Sequence, residues 1–249
     1  MKIVAILTIY LILALHAFAK SNSVNTLRVG IAYLPNIAAK KSDPLPVFMQ
    51  RLADVSDVPM DINIYPFPRS IDYLNRQKID IHLPMIESPF IDKEALTYQF
   101  SDIALWNVNF VIYSHKDTII NLNELSALTL YTDRAHTHLF PFKVFPIGHI
   151  EGAIQMVDKN RIDGLIFADT VIDDTIIQYN LVNIRRTLYG TFPVKFIVPK
   201  GQIGDEINEK LRIGMNILRA RGEIKPLSTK LSFVYDDWQP YLMNSGKTE

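Results

Sequence analysis

Two stretches of this chain follow one pattern. Arg76-Gln77-Lys78-Ile79-Asp80-Ile81-His82-Leu83-Pro84 and Asn160-Arg161-Ile162-Asp163-Gly164-Leu165-Ile166-Phe167-Ala168-Asp169 each leave an amphipathic helix through a basic residue, Ile and Asp, and enter an apolar run. Short apolar runs without alternation read as strands buried on both faces of a parallel sheet. A chain that makes this transition twice is predicted to fold as two similar α/β lobes. Ligands of open α/β sheets sit beyond the carboxyl ends of the strands. That rule puts residues 84–87 of one lobe, ending at Glu87, and Asp169 of the other beside a shared cleft.

The flanking pattern supports this. Residues 27–33 read as a strand ended by Pro35 and Asn36. Asp43 and Pro44 open a helix with Phe48, Leu52 and Val55 on one face. A second strand is expected at 60–65, stopped by Pro66 and Pro68, then a short helix at 70–77 and a third strand at 79–83. This β-α-β-α-β order predicts a parallel sheet with right-handed crossovers. Residues 100–113 are extended and too long for one strand of a small sheet, so they are expected to run from one lobe into the next. A strand at 128–131, a polar loop at 132–138, and helices at 150–159 and 170–179 follow. A second extended crossing is expected near 189–198. The helix at 205–221 has Asp205 and Glu206 in its first turn and Arg219 and Arg221 in its last, both favourable to the dipole, with Gly222 just beyond it.

Composition narrows the class. At 249 residues, 48% hydrophobic and 21% charged, the chain has ordinary globular character as one large domain or two small ones. Formal net charge is zero, so no global field draws it to nucleic acid. The chain has no cysteine, which removes disulfides, thiolate nucleophiles, Cys-based metal sites and a lipid-anchored leader. Residues 1–19 read as a cleavable secretory signal: Lys2, an apolar run at 3–15, and Ala17-Phe18-Ala19 before the expected mature start at Lys20. An exported, cysteine-free chain of this size fits a bacterial periplasm.

Leu27-Arg28-Val29-Gly30-Ile31, Lys78-Ile79-Asp80-Ile81, Phe100-Ser101-Asp102, Arg161-Ile162-Asp163-Gly164, Val198-Pro199-Lys200-Gly201 and the helix at 207–222 occur in an order that resembles the bacterial extracellular solute-binding proteins of family 3. The resemblance spans about residues 27–231. It implies a two-lobed type II periplasmic-binding-protein fold. The first lobe would be 24–106 with 194–249 and the second 107–193, joined by two hinge crossings. It also implies capture of a small polar ligand for an ABC-type uptake system, without a cofactor and without chemistry. A periplasmic partner of a membrane sensor and an enzyme on the same fold are the competing readings.

Carried over residue by residue, the family's site is only partly present. Phe67 stands where an aromatic follows the second strand. Glu87 replaces a hydroxyl that would meet the ligand's ammonium group. The Arg that clamps an α-carboxylate is missing, since Asp92-Lys93-Glu94-Ala95 occupies that stretch, and without a bidentate Arg an ordinary amino acid is disfavoured. Arg134 and His136 lie in the second-lobe loop, and Asp169 matches the second-lobe acid after a one-residue shift. Tyr33, Phe67, Glu87, Trp106, Arg134, His136 and Asp169 are therefore the expected ligand-binding set. Asp169 also suits a helix cap, and Trp106 also suits packing.

His136, His138 and His149 lie close together, but no third ligand is spaced for a metal site, and none is expected. His82 is expected to be a satisfied core histidine. No nucleophile elbow, phosphate loop or dinucleotide fingerprint is present. The expected partners are a small polar molecule and an inner-membrane permease or sensor, with the protein a monomer.

Overall fold

The structure, a computed structural model, describes residues 26–224 and 234–243. The expected leader, Lys20 and the polar tail at 244–249 lie outside the described residues. One eight-stranded mixed sheet runs through the molecule in the order β2-β1-β3-β8-β4-β7-β5-β6. The strands are β1 (Leu27–Ala32), β2 (Met60–Tyr65), β3 (Ile81–Ile86), β4 (Tyr98–His115), β5 (Leu130–Asp133), β6 (Phe145–Ile147), β7 (Gly164–Ala168) and β8 (Ile184–Pro199). Among the described residues five α-helices flank them: α1 (Pro44–Ser56), α2 (Phe67–Asn75), α3 (Ile150–Asp158), α4 (Asp169–Tyr179) and α5 (Gln202–Ala220).

The strand order is symmetric about the β8–β4 pair. On one side β1 pairs in parallel with β2 and β3; on the other β5 pairs in parallel with β6 and β7. The repeated motif explains why. The Asp80 carboxylate accepts from the Arg28 backbone N–H at 2.8 Å and is gripped by the Arg28 guanidinium. The Asp163 carboxylate accepts from the Thr129 N–H, also at 2.8 Å. In each half, the Asp that precedes the third strand ties down the start of the first. The preceding Ile79 and Ile162 are buried beside it. The shared pattern is therefore scaffold, written twice.

β4 and β8 are the two crossings. Each is one continuous strand, of 18 and 16 residues, and they pair antiparallel from Tyr98 opposite Pro199 to His115 opposite Ile184. On both of their faces they carry buried residues, Phe110, Val111, Ile112, Tyr113, Phe196, Ile197 and Val198, all nearly inaccessible, so the core is continuous between the halves. The ladder is interrupted between Phe100 and Trp106 and again between Phe110 and Val111. Five regular pairs, from Trp106 opposite Val194 to Phe110 opposite Gly190, remain between the interruptions.

Several local expectations shift. α2 starts at Phe67 rather than 70, because Pro68 sits in its first turn, where a missing N–H costs nothing. Residues 134–139, expected as loop, form a 3₁₀ turn whose entry is fixed by Asp133 accepting from the Ala135 N–H. β6, Phe145-Pro146-Ile147, was not anticipated; it lies at the sheet edge, where a Pro is tolerated.

Residues 234–243 pack on the far end of β8. Gln239 exchanges two hydrogen bonds with the Arg186 backbone, and Tyr241 lies over the Arg185 guanidinium. The end of α5, by contrast, stays with the first half through the ion pair of Glu223 with Arg51.

Candidate functional site

The carboxyl ends of β1, β2, β5, β6 and β7 converge where the two halves face each other, with Tyr33, Pro66, Asp133, Gly148 and Asp169 as the residues reached on leaving those strands or at their last position. Two adjoining cavities lie there. The inner one, about 40 Å³, is walled by Leu34, Ile37, Phe67, Pro84 and Ile86 from the first half, by Phe110, His136, Phe167 and Val171 from the second, and by Trp106, Val108 and Val194 from the crossing strands. The outer one, about 210 Å³, opens between Tyr33, Pro35, Pro66 and Pro68 on one side and Asp133, Gly148, His149, Ile150 and Glu151 on the other. Leu34, Phe67, Phe167 and Val171 are walls of both.

The halves are drawn together over the inner cavity. The Phe67 ring meets the His136 ring at 4.7 Å and the His82 ring at 5.2 Å. His136 is further enclosed by Phe110 and Phe167. Ser88 donates to the Leu139 carbonyl at 2.8 Å, and the Tyr98 hydroxyl reaches His138 Nε2 at 3.3 Å. Burial pushes Tyr98 up to about 12 and lowers His138, an effect its neighbour His136 reinforces. That bond therefore joins a protonated phenol to a neutral ring.

The expected site residues separate into two groups. Tyr33, Phe67, Trp106 and His136 line the paired cavities. Glu87, Arg134 and Asp169 do not. Glu87 bonds Lys195 at 2.7 Å and Lys93 at 2.6 Å and lines a different hollow with both. Burial would raise its pKa, but the two ammonium groups outweigh that and hold it below the usual carboxylate value. Arg134 is exposed. Asp169, buried, is the first residue of α4. It accepts from the Thr170 N–H at 2.7 Å and from the Asn109 side chain at 2.8 Å, while Thr191 donates to Asn109 in turn. Burial raises its pKa, partly offset by those donors. Its neighbours Ala168 and Thr170 face the inner cavity, and Asp169 fastens α4 to the crossing strands behind it.

The histidines also part company. His149 caps α3, its Nδ1 accepting from the Gly152 N–H at 3.0 Å. His82 is fully buried with Nδ1 on the Ser70 hydroxyl at 2.8 Å, and among the described residues Nε2 meets no hydrogen-bond partner within normal bonding geometry. His136 Nδ1 is likewise buried and, among the described residues, without a hydrogen-bond partner, 3.8 Å from Asp133 Oδ1. Among the described residues no three His, Asp or Glu side chains gather as a metal set.

The residue that sequence reasoning passed over is Asp133. It directly precedes Arg134 and lines the outer cavity, and its signal was its position as the last residue of a strand. Among the described residues nothing bonds its Oδ2. Phe167, the residue before the end of β7, was likewise overlooked as a wall of both cavities.

No family model and no curated protein matches the chain. Solved structures do. A histidine kinase sensor domain with similarity to periplasmic binding proteins superposes with a TM-score of 0.70 at 16% identity, over 85% of this chain and 98% of that one. The GluR0 ligand-binding core from Nostoc punctiforme, in complex with L-glutamate, gives 0.68 at 13%, over 83% and 99%. An ancestral arginine-binding protein bound to arginine gives 0.65 at 18%, over 84% and 98%. The fold is therefore that of the two-lobed type II periplasmic binding proteins. At these identities the likeness defines the fold; function must be argued from the site.

Proposed function

We propose that this protein is an exported solute-binding protein that captures a small molecule between its lobes. The observation that carries this reading is the pair of cavities at the strand ends, walled from both halves and crossed behind by β4 and β8. The lobes divide at the step from Trp106 opposite Val194 to Asn107 opposite Pro193, at the edge of the regular ladder block. Residues 234–243 go with the second lobe. Among the described residues no helix is long and apolar enough to cross a membrane, and the leader-like residues 1–19 fit export to the periplasm.

The apolar lining modifies the expected ligand. Glu87, Arg134 and Asp169 supply no common polar clamp, so recognition rests on Phe67, Phe167, Trp106, His136 and the outer rim. The test is a thermal-shift screen of a broad metabolite set, using protein unfolded and refolded to strip any co-purified molecule. A ligand at a hundred times its Kd raises stability by about 2.7 kcal/mol. A complete absence of shifts across the set would overturn the reading.

Delivery to an uptake permease is the first destination. Delivery to a membrane sensor is the second, favoured by the superposition on a kinase sensor domain. Capture of a permease or of a sensor kinase by the liganded protein from solubilised membranes separates the two.

A further inference from the structure

We propose that the cleft takes an uncharged small molecule with an apolar, ring-sized body, in preference to an amino acid or any other ion. This rests on the ligand-binding reading above and narrows it to a chemical class.

The inner wall comes first. Among the described residues, no Asp, Glu, Lys or Arg lines the inner cavity. Its only side chains with polar atoms are Trp106, Thr170 and His136, and His136 Nδ1 is sealed from solvent. These walls come from both halves and from the crossing strands, so a molecule enclosed between the lobes meets them at its deep end. An ion placed there loses its hydration and gains no counter-charge, which costs far more than burying a neutral group of the same size.

The nearby charges come second, and none supplies that counter-charge. Glu87 is held by Lys93 and Lys195, Asp169 accepts from Asn109 and the Thr170 N–H, and Arg134 is exposed. The outer cavity is lined by two carboxylates, Asp133 and Glu151, and among the described residues by no Lys or Arg. Asp133 accepts from the Ala135 N–H, and Glu151 stands 3.9 Å from His149 Nε2. Their side chains keep 13% and 35% exposure, so both remain in contact with water. Two acids at the mouth repel an anion, and solvated carboxylates hold a cation only weakly.

The shape comes third. Leu34, Phe67, Phe167 and Val171 wall both cavities, so the two adjoin along an apolar seam. On the first-half side the outer cavity continues this surface with Tyr33, Pro35, Pro66 and Pro68, whose flat faces suit a ring. A space of about 150 Å³ among aliphatic and aromatic side chains is enough for benzene. The outer cavity, about 210 Å³, exceeds that, while the inner one, about 40 Å³, has room for a small substituent. A ring therefore fits the outer cavity with a short arm pointing inward, where Thr170 offers a hydroxyl to an uncharged group.

The test titrates the full mature chain, stripped of bound molecules, with four probes that share a benzyl group and differ in charge. They are 2-phenylethanol, phenylacetate, 2-phenylethylamine and L-phenylalanine. Calorimetry is expected to show 2-phenylethanol binding about tenfold or more tighter than each of the three ions. Its binding should carry the negative heat-capacity change of apolar burial. Tyr33→Ala removes an exposed part of the outer wall and is expected to weaken 2-phenylethanol by about threefold to tenfold. Ala168→Leu adds bulk at the inner cavity and is expected to weaken it about tenfold, with urea unfolding to check that the variant is folded. Glu209→Gln, on the exposed face of α5, leaves it unchanged. Binding of any of the three ions as tightly as 2-phenylethanol overturns the inference, as does an unaltered affinity in both Tyr33→Ala and Ala168→Leu. Should none of the four bind, the charge of whatever the metabolite screen returns decides. An uncharged hit upholds the inference, an ion overturns it and leaves the ligand-binding reading standing, and no hit at all overturns both.

Discussion

Arg186 carries a full charge on a side chain that is 2% exposed. Its guanidinium bonds Asp173 at 2.8 Å and the Trp238 carbonyl at 2.9 Å, and stacks between Tyr235 and Trp238. Tyr113 donates to the other oxygen of Asp173. Removing one member of a buried pair strands the other, at a cost of about 3–5 kcal/mol. Because Asp173 keeps 19% exposure, Arg186→Met is expected near the lower end, about 3 kcal/mol by urea unfolding. Arg186→Lys retains the charge, loses the planar fork, and is expected to fall between.

His82 has the opposite problem, a ring that folding keeps neutral. Burial, with a smaller contribution from His136, lowers its pKa from 6.5 to about 3. The unfolded chain thus binds a proton that the folded chain refuses between those values. Stability from this group is complete above pH 6.5 and is lost, by about 1.4 kcal/mol per pH unit, as pH falls. Asp173, pushed by burial from 3.8 up to about 6, works in the opposite direction between those values. The His82 effect is therefore read as a difference: as pH drops from 7 to 4, the unfolding free energy of wild type should fall relative to that of His82→Leu. Parallel curves would refute it. At this scale the sequence was least informative. Glu87 looked like a ligand acid because Lys195, one of its two ion-pair partners, is over a hundred residues away.

α1 and α5 pack where Gly214 lets them approach. A Cβ at Gly214 would lie 2.7 Å from Leu52 Cδ1 and 3.0 Å from Ser56 Cβ. Alanine in a helix interior is favoured over glycine by about 1 kcal/mol. Overpacking costs about 1–3 kcal/mol, and Leu52 is fully buried with nowhere to swing. Gly214→Ala is therefore expected to lower the urea midpoint, and a raised midpoint would show that the contact yields. Elements were far more legible than site residues. α5 was readable from its terminal charges and from Gly222, which does adopt a left-handed φ of 72° just past the helix. The parallel strands were readable as apolar runs. The 3₁₀ turn at residues 134–139 and the three-residue β6 were not, because each is shorter than any periodicity and is held by neighbours in space.

At the scale of the molecule, the two-lobed plan followed from one repeated motif and two long extended runs. What could not be read were the contacts that join the halves, since they link residues forty or more positions apart. Two of them are single hydrogen bonds, Ser88 to Leu139 and Tyr98 to His138. Each such bond is worth about 0.5–1.5 kcal/mol net. Ser88→Ala combined with Tyr98→Phe is expected to shift the open-to-closed ratio by roughly tenfold. Small-angle scattering without ligand should then show a larger radius of gyration; an unchanged radius would mean that these bonds do not hold the lobes.

Trp106 forms part of the inner cavity's wall at the edge of the regular ladder block, and it is one of two tryptophans in the chain. The other, Trp238, sits on Arg186 at the far end of β8. With Trp238→Phe, all indole emission comes from the cleft. Parting the lobes would wet that ring and move its emission to the red, and a bound ligand would move it back. The protein thus carries its own optical gauge of occupancy, readable without any attached dye.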